Sequence, residues 1–183
     1  MITYTTAKTH EELEGILALQ KANLSQALTE KEKAEQGFVT VVHTFQQLQM
    51  MNEIAPHIIA KQHNLVIGYI LAMTPASRTE IPVLEPMFTM FDKIEMNGKP
   101  ISAYQYMVVG QACVDKMFRG QGVLDGCYQA YKDLYRLKYE FAITEIAAKN
   151  TRSMQAHQRI GFHPIYTYKT QQGEGWSIVI WEW

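Results

Sequence analysis

Arg119-Gly120-Gln121-Gly122 is the stretch whose residue types and spacing could do chemistry. Two glycines stand one residue apart, directly ahead of a helical pattern. A helix N-terminus leaves backbone N–H groups without partners and carries a partial positive charge of about half a unit. Glycine has no side chain to keep an anion away from those N–H groups, so the natural guest is a phosphate. Arg119 adds a full positive charge at the mouth. Ordinary turns use the same short pattern for its backbone freedom alone, so by itself it names no ligand.

The elements that must position this loop can be read on either side of it. Residues 104–114 are rich in Tyr, Val and Cys with little charge, which predicts a strand. Val123, Cys127, Tyr128, Tyr131, Leu134 and Tyr135 recur at spacings of three and four, which predicts a helix of some eighteen residues. Residues 141–148 read as a second central strand. A turn at Lys149-Asn150-Thr151 opens a helix carrying Met154, His157 and Ile160, ending at Gly161. Residues 162–170 and 176–183 form a hairpin around Gly173-Glu174-Gly175.

Upstream, Ile2–Thr6 is a short β-branched and aromatic strand. Thr9 with Glu12, Thr29 with Glu32 and Thr44 with Gln47 have capping-box spacing and predict three helices, the second stopping at Gly37. Residues 38–43 are extended, either as strand or as loop. Residues 57–62 and 65–74 read as a hairpin turning at His63-Asn64. Gly68 inside the second strand marks a bulge or a close backbone approach. The long connection 75–102 carries an apolar stripe of Leu84, Met87, Phe88, Phe91 and Ile94. It reads either as an added core helix or as a wall over a substrate pocket, and its length favours a part in acceptor choice.

A chain of 183 residues is long enough for one domain, spanning 1–183, with a core of its own. With 47% hydrophobic and 19% charged residues it is globular in composition. A net charge of −1 offers no general attraction to nucleic acid or to an anionic membrane. Cys113 and Cys127 fit no disulfide framework, which points to a reduced, cytoplasmic setting. The first residues lack the basic and apolar regions of a signal peptide, and no apolar run approaches the ~20 residues that span a bilayer. The six histidines show no metal spacing, so no metal is expected.

Together these pieces resemble the GCN5-related N-acetyltransferases. The family's phosphate loop, Gln/Arg-x-x-Gly-x-Gly/Ala, follows a strand that often ends Val-Asp-Pro. The counterpart here runs from Val114-Asp115-Lys116 through Arg119-Gly120-Gln121-Gly122-Val123-Leu124, with Lys116 in place of the proline and Leu124 in place of the last small residue. A second family block has Asn, then Tyr seven residues on, then Gly-Phe. It is matched by Asn150, His157 and Gly161-Phe162, with Arg159 in a usually basic place. The resemblance implies an α/β (α+β) fold: a mixed, mostly antiparallel central sheet flanked by helices, with a splayed central strand pair.

It also implies acetyl-CoA as co-substrate, with no metal, and transfer of the acetyl group to a primary amine of a small molecule or a peptide or protein. The backbone N–H groups of Gly120, Gln121, Gly122, Val123 and Leu124 would then hold the pyrophosphate, with Arg119 beside it. Ala112, Cys113 and Val114 would offer unpaired strand groups to the pantetheine arm. Cys113 also fits as a small core residue. Asn150 would contact coenzyme A, cap its helix, or do both.

An amine with a pKa near ~10.4 is almost wholly protonated at neutral pH, so the reaction needs a base. Glu145, in an otherwise apolar strand, is the candidate by resemblance to the protein N-terminal alanine acetyltransferases of the superfamily. Its plain alternative is a solvent-facing or salt-bridged strand residue. The leaving thiolate needs a proton, and His157 stands where the family has its tyrosine acid. It could serve as a neutral donor, as an imidazolium, or only as a contact to coenzyme A. A rival reading of the whole chain is a non-catalytic coenzyme A-binding or regulatory module. The full P-loop and dinucleotide-binding patterns are absent. Neither reading excludes a homodimer.

Overall fold

The computed structural model describes residues 1–79 and 81–183, and their side chains except those of Ala34, Gln36 and Val83. Strand β1 (Ile2–Thr6) leads into helix α1 (His10–Ala22), then α2 (Glu30–Gln36) and α3 (Phe45–Ile54). All three helices start on the reciprocal caps that the spacing predicts, with Thr9, Thr29 and Thr44 each accepting from the backbone N–H three residues on. Gly37, at φ 73°, ends α2 in the conformation that glycine tolerates best.

Strands β2 (Ile58–Gln62) and β3 (Leu65–Met73) form the expected hairpin, with His63 at φ 53° in its turn. After α4 (Glu85–Phe91) and a small ribbon of β4 (Glu95–Met96) and β5 (Lys99–Pro100) come β6 (Tyr106–Val114), α5 (Val123–Tyr135), β7 (Phe141–Ala147), α6 (Thr151–Ile160), β8 (His163–Lys169) and β9 (Gly175–Glu182). α5 is 13 residues, shorter than predicted. The chain turns after Tyr135, where Leu137 falls off the apolar stripe and is 94% exposed.

Seven strands form one sheet in the order β1-β2-β3-β6-β7-β9-β8. Every neighbouring pair is antiparallel except β6 with β7. That parallel pair is the splayed one. It is in register only at Tyr106, Met107 and Val108, opposite Phe141, Ala142 and Ile143. Beyond that point the Thr144 hydroxyl takes the Val109 carbonyl, at 2.7 Å. β7 stays paired to β9 along its whole length, so the β7-facing edge of residues 109–114 is left without a strand. Gly110 is the extra residue of a bulge between β3 and β6, and a Cβ there would stand 2.7 Å from the Met73 side chain. Gly68 adjoins another bulge and lets α5 approach, since a Cβ would meet Val123 at 3.1 Å.

Side chains alternate between the two faces of the sheet, giving two cores. One gathers α1, α3, α4 and the faces of Tyr69, Leu71, Phe141 and Ile143. The other lies under α5 and α6. The described buried apolar side chains of the connection 75–102 join the first. Ile81, Leu84, Met87, Phe88, Phe91, Ile94 and Ile101 are all buried in it, and each such side chain contributes roughly 1.5–3 kcal/mol. The connection joins β3 and β6 at the end of the sheet remote from the splay. None of its described residues lines either cavity described below. The expectation that it shapes an acceptor pocket is therefore corrected: it is an added layer of core.

Candidate active site

The glycine loop has the geometry an anion needs. Gly120 and Gly122 sit at φ 74° and 76°, and a Cβ added to either would meet no atom within 4 Å. Gly122 is the N-cap of α5 and supplies no side-chain cap to the N–H groups of the first turn. Those donors face a cleft of about 400 Å³ whose walls include Gly120, Gly122, Val123 and Leu124. Leu124 fits the wall, so the last small residue of the family pattern is dispensable here for the shape of the loop. Gln121 turns its side chain onto the Met117 carbonyl, at 2.9 Å.

Arg119 lines the cleft but does not stand open at its mouth as predicted. Its Nε donates to the Val114 carbonyl at 3.0 Å, and Nη2 donates to the Asn23 side chain at the end of α1. The guanidinium braces the end of β6 against α1. Further positive charge in the cleft comes from Arg152 and Arg159 on α6, the latter paired with Asp125 of α5.

Ala112, Cys113 and Val114 form the cleft wall along the unpaired edge of β6. Cys113 is buried, and desolvation pushes its thiol up to about 12. It is therefore protonated and unreactive at neutral pH, as a core residue would be.

A strap over residues 37–41 crosses the cleft, and buried polar groups stitch it down. Asn150, which caps α6 by accepting from Ser153 N–H, also donates to the Phe38 carbonyl at 2.9 Å. Val39 exchanges backbone bonds with Asn23 and Ser25. Gln111 of β6 donates to the Val41 carbonyl at 3.0 Å, and its own carbonyl accepts from Gln20 and from Tyr69.

Beneath the strap a smaller cavity of about 80 Å³ holds Glu145. This carboxyl is half-buried. Burial raises its pKa, and a 2.6 Å hydrogen bond from the Tyr168 hydroxyl acts in the opposite sense. An acid kept partly dry and held by one donor is suited to taking a proton. The two cavities share Phe38, Val39, Ala112, Ser153 and His157 in their walls, so they meet where the strap passes β6 and α6.

His157 lies at that junction, only 6% exposed. Desolvation lowers its pKa to about 4, so the ring is neutral at pH 7 and the imidazolium role is corrected. Its protons can be placed. Nδ1 is 2.8 Å from the Ser153 carbonyl, which can only accept, so Nδ1 carries the hydrogen. Nε2 then accepts from the Tyr128 hydroxyl, at 2.6 Å. Both nitrogens are occupied within the protein.

The fold brings the expected residues of the loop, Ala112–Val114, Glu145, Asn150 and His157 around two adjoining cavities. Ser153, Gln111 and the strap residues Phe38 and Val39, which also line these cavities, and Tyr168, which bonds to Glu145, were not expected there from the sequence. Ser153 could have been found, since it lies four residues before His157 and shares its helix face. Nothing local marks the others.

No protein-family model matches the chain, and no curated protein matches its sequence. Solved structures do match its shape. The ribosomal-protein-S18-alanine N-acetyltransferase from Escherichia coli is 12% identical, with a TM-score of 0.63 over 100% of this chain and 94% of that one. A chain of the NatC complex, bound to Gag peptide and CoA, is 14% identical, with a TM-score of 0.67 over 100% and 98%. An N-acetyltransferase from Staphylococcus aureus Mu50 is 16% identical, with a TM-score of 0.63 over 100% and 98%. Full-length correspondence at such low identity is a likeness of backbone, and it agrees with the splayed pair, the glycine-led α5 and the strapped cleft. The chain has the GCN5-related N-acetyltransferase fold.

Proposed function

We propose that this protein is an acetyl-CoA-dependent N-acetyltransferase acting on a primary amine. The observation that carries the reading is a continuous path. The glycine cradle at α5 opens into a cleft along the unpaired edge of β6, and that cleft meets a second cavity containing a partly dry carboxylate. A donor with a phosphate end and an amide-bearing arm fits this path. It would supply an activated acyl group at the junction.

The chain's own groups have distinct parts. The N–H groups of Gly120, Gln121, Gly122, Val123 and Leu124 bind the pyrophosphate, and Arg119 holds the strand end that sets the loop. The edge of Ala112, Cys113 and Val114 offers backbone groups to the arm, and Asn150 keeps the strap closed over it. Glu145 accepts the proton of the acceptor ammonium, directly or through one water, and the strap excludes bulk water from the junction. His157, neutral and tied at both nitrogens, shapes the junction and contacts the donor.

The acceptor is a small molecule or a peptide. The S18-alanine enzyme and the peptide-bound NatC complex favour the peptide class among the structural neighbours. Titration with coenzyme A, followed by single-turnover transfer from acetyl-CoA to a panel of amines, tests the reading. Binding with transfer supports the enzyme. Binding without transfer to any acceptor favours a coenzyme A-binding module of the same fold, and no binding rejects both.

A further inference from the structure

We infer that the Ser153 hydroxyl, rather than His157, is the group that donates a hydrogen bond to the leaving sulfur. The inference rests on the acetyltransferase reading. Among the described residues, the donor cleft and the Glu145 cavity share five in their walls, and thioester and amine must meet at that shared wall. Phe38, Val39 and Ala112 bring no polar side chain. His157 has spent its one proton on the Ser153 carbonyl and accepts from Tyr128 at its other nitrogen. Among the described residues, the remaining polar side chain on that wall is Ser153, half-buried on the first turns of α6.

The serine is also held in the right state to donate. The same Nδ1–H of His157 reaches Ser153 Oγ at 3.3 Å, a second and weaker branch of its bond to the carbonyl. Because Nδ1 carries the hydrogen there, Oγ accepts and its own O–H is left to point elsewhere. Tyr128 and His157 therefore orient the serine without competing for its proton.

During transfer the amine nitrogen forms its bond to the acyl carbon and the C–S bond breaks with its electron pair passing to sulfur. Ser153 O–H donates to that sulfur as it becomes a thiolate. The serine stays protonated. Of the two protons the ammonium loses, Glu145 takes one as the amine becomes reactive and passes it to water, and the second reaches the thiolate through solvent.

The test reads the sulfur itself and needs no acceptor. The thiolate absorbs in the ultraviolet, so the pKa of the coenzyme A thiol bound to the protein can be titrated. Ser153→Ala retains the backbone bonds to Asn150 and His157, so the fold is spared; Ser153→Thr restores a hydroxyl. The expected result is a bound thiol pKa about one unit higher in Ser153→Ala than in the wild type, with Ser153→Thr in between or restored, and coenzyme A affinity, measured below the thiol pKa, within about threefold in all three. Equal thiol pKa values in wild type and Ser153→Ala, with coenzyme A bound to both, overturn the role of Ser153 alone. Failure of the wild type to bind coenzyme A overturns the acetyltransferase reading, and the inference with it.

Discussion

Replacing Tyr168 with Phe tests the assignment of Glu145 as base, because it removes one oxygen and leaves the ring that packs on the first core. In the wild type the Tyr168 hydroxyl donates to Glu145 Oε2 at 2.6 Å and holds the carboxylate form against the upward pull of burial. A hydrogen bond to a charged acceptor contributes about 1.5–3 kcal/mol when dry. Both side chains are half-buried, so water replaces part of it, leaving about 1.4 kcal/mol or one pKa unit. Loss of a bond that favours the charged form raises the pKa. Glu145 in Tyr168→Phe therefore titrates about one unit higher, and less of it is ionised at neutral pH. The acidic limb of kcat/KM against pH moves up by about one unit, while the plateau at higher pH changes little. A 13C titration of the carboxyl, assigned by its loss in Glu145→Gln, reads the same shift without turnover. Coincident acidic limbs, or an unshifted carboxyl titration, would refute the coupling.

Other outcomes follow from the same geometry. Gly122→Ala meets no steric obstacle but places a side chain at φ 76°, costing about 1–2 kcal/mol and so lowering Tm by a few degrees. Its coenzyme A Kd should rise tenfold or more, and an unchanged Kd by calorimetry would remove the loop from phosphate binding. Asn150→Ala loses the cap of α6 and the donor to Phe38, costing about 1–3 kcal/mol in denaturant unfolding. Amide exchange at residues 37–41 should quicken while 141–147 stays protected; equal change in both would refute the stitching of the strap. Acid should destabilise the fold through His43, His57 and His157, which burial lowers to about 4, 3 and 4. Each is held neutral, so the unfolded chain binds more protons between its ordinary pKa of ~6.5 and the folded value, and stability is full above that range and falls as pH drops through it. A shift of this size costs about 2 kcal/mol per histidine by pH 5, and a urea midpoint that is flat from pH 7 to 5 would contradict it.

What sequence could and could not reveal follows the range of the interactions. The capping boxes at Thr9, Thr29 and Thr44 and the turn at Gly37 act within four residues, and each lies where the pattern put it. The glycine loop and the Asn150–Phe162 block were readable because a local motif positions each. By contrast, Asn150 reaches Phe38 across 112 residues and Gln111 reaches Val41 across 70, so the strap had no local signature. Arg119 looked like a free cation because its partners, Val114 and Asn23, are joined to it only by folding. The partner that occupies His157 Nε2 is Tyr128, 29 residues away on another helix. The stripe of 84–94 was visible, but an apolar stripe does not say whether it covers a pocket or a core. Its place at the far end of β3 and β6 decides for the core.

The proposed reaction is acetyl transfer at the junction of the two cavities, with Glu145 as base. Its most direct test is mass spectrometry of acceptors after incubation with isotope-labelled acetyl-CoA, comparing wild type with Glu145→Gln over peptides with free N-termini and small primary amines. Label is expected on at least one amine with the wild type, and labelling about 10²–10⁴-fold slower with a Glu145→Gln protein that still binds acetyl-CoA. Equal labelling by the two proteins would contradict the role of Glu145, and no label on any amine would contradict the proposed reaction itself.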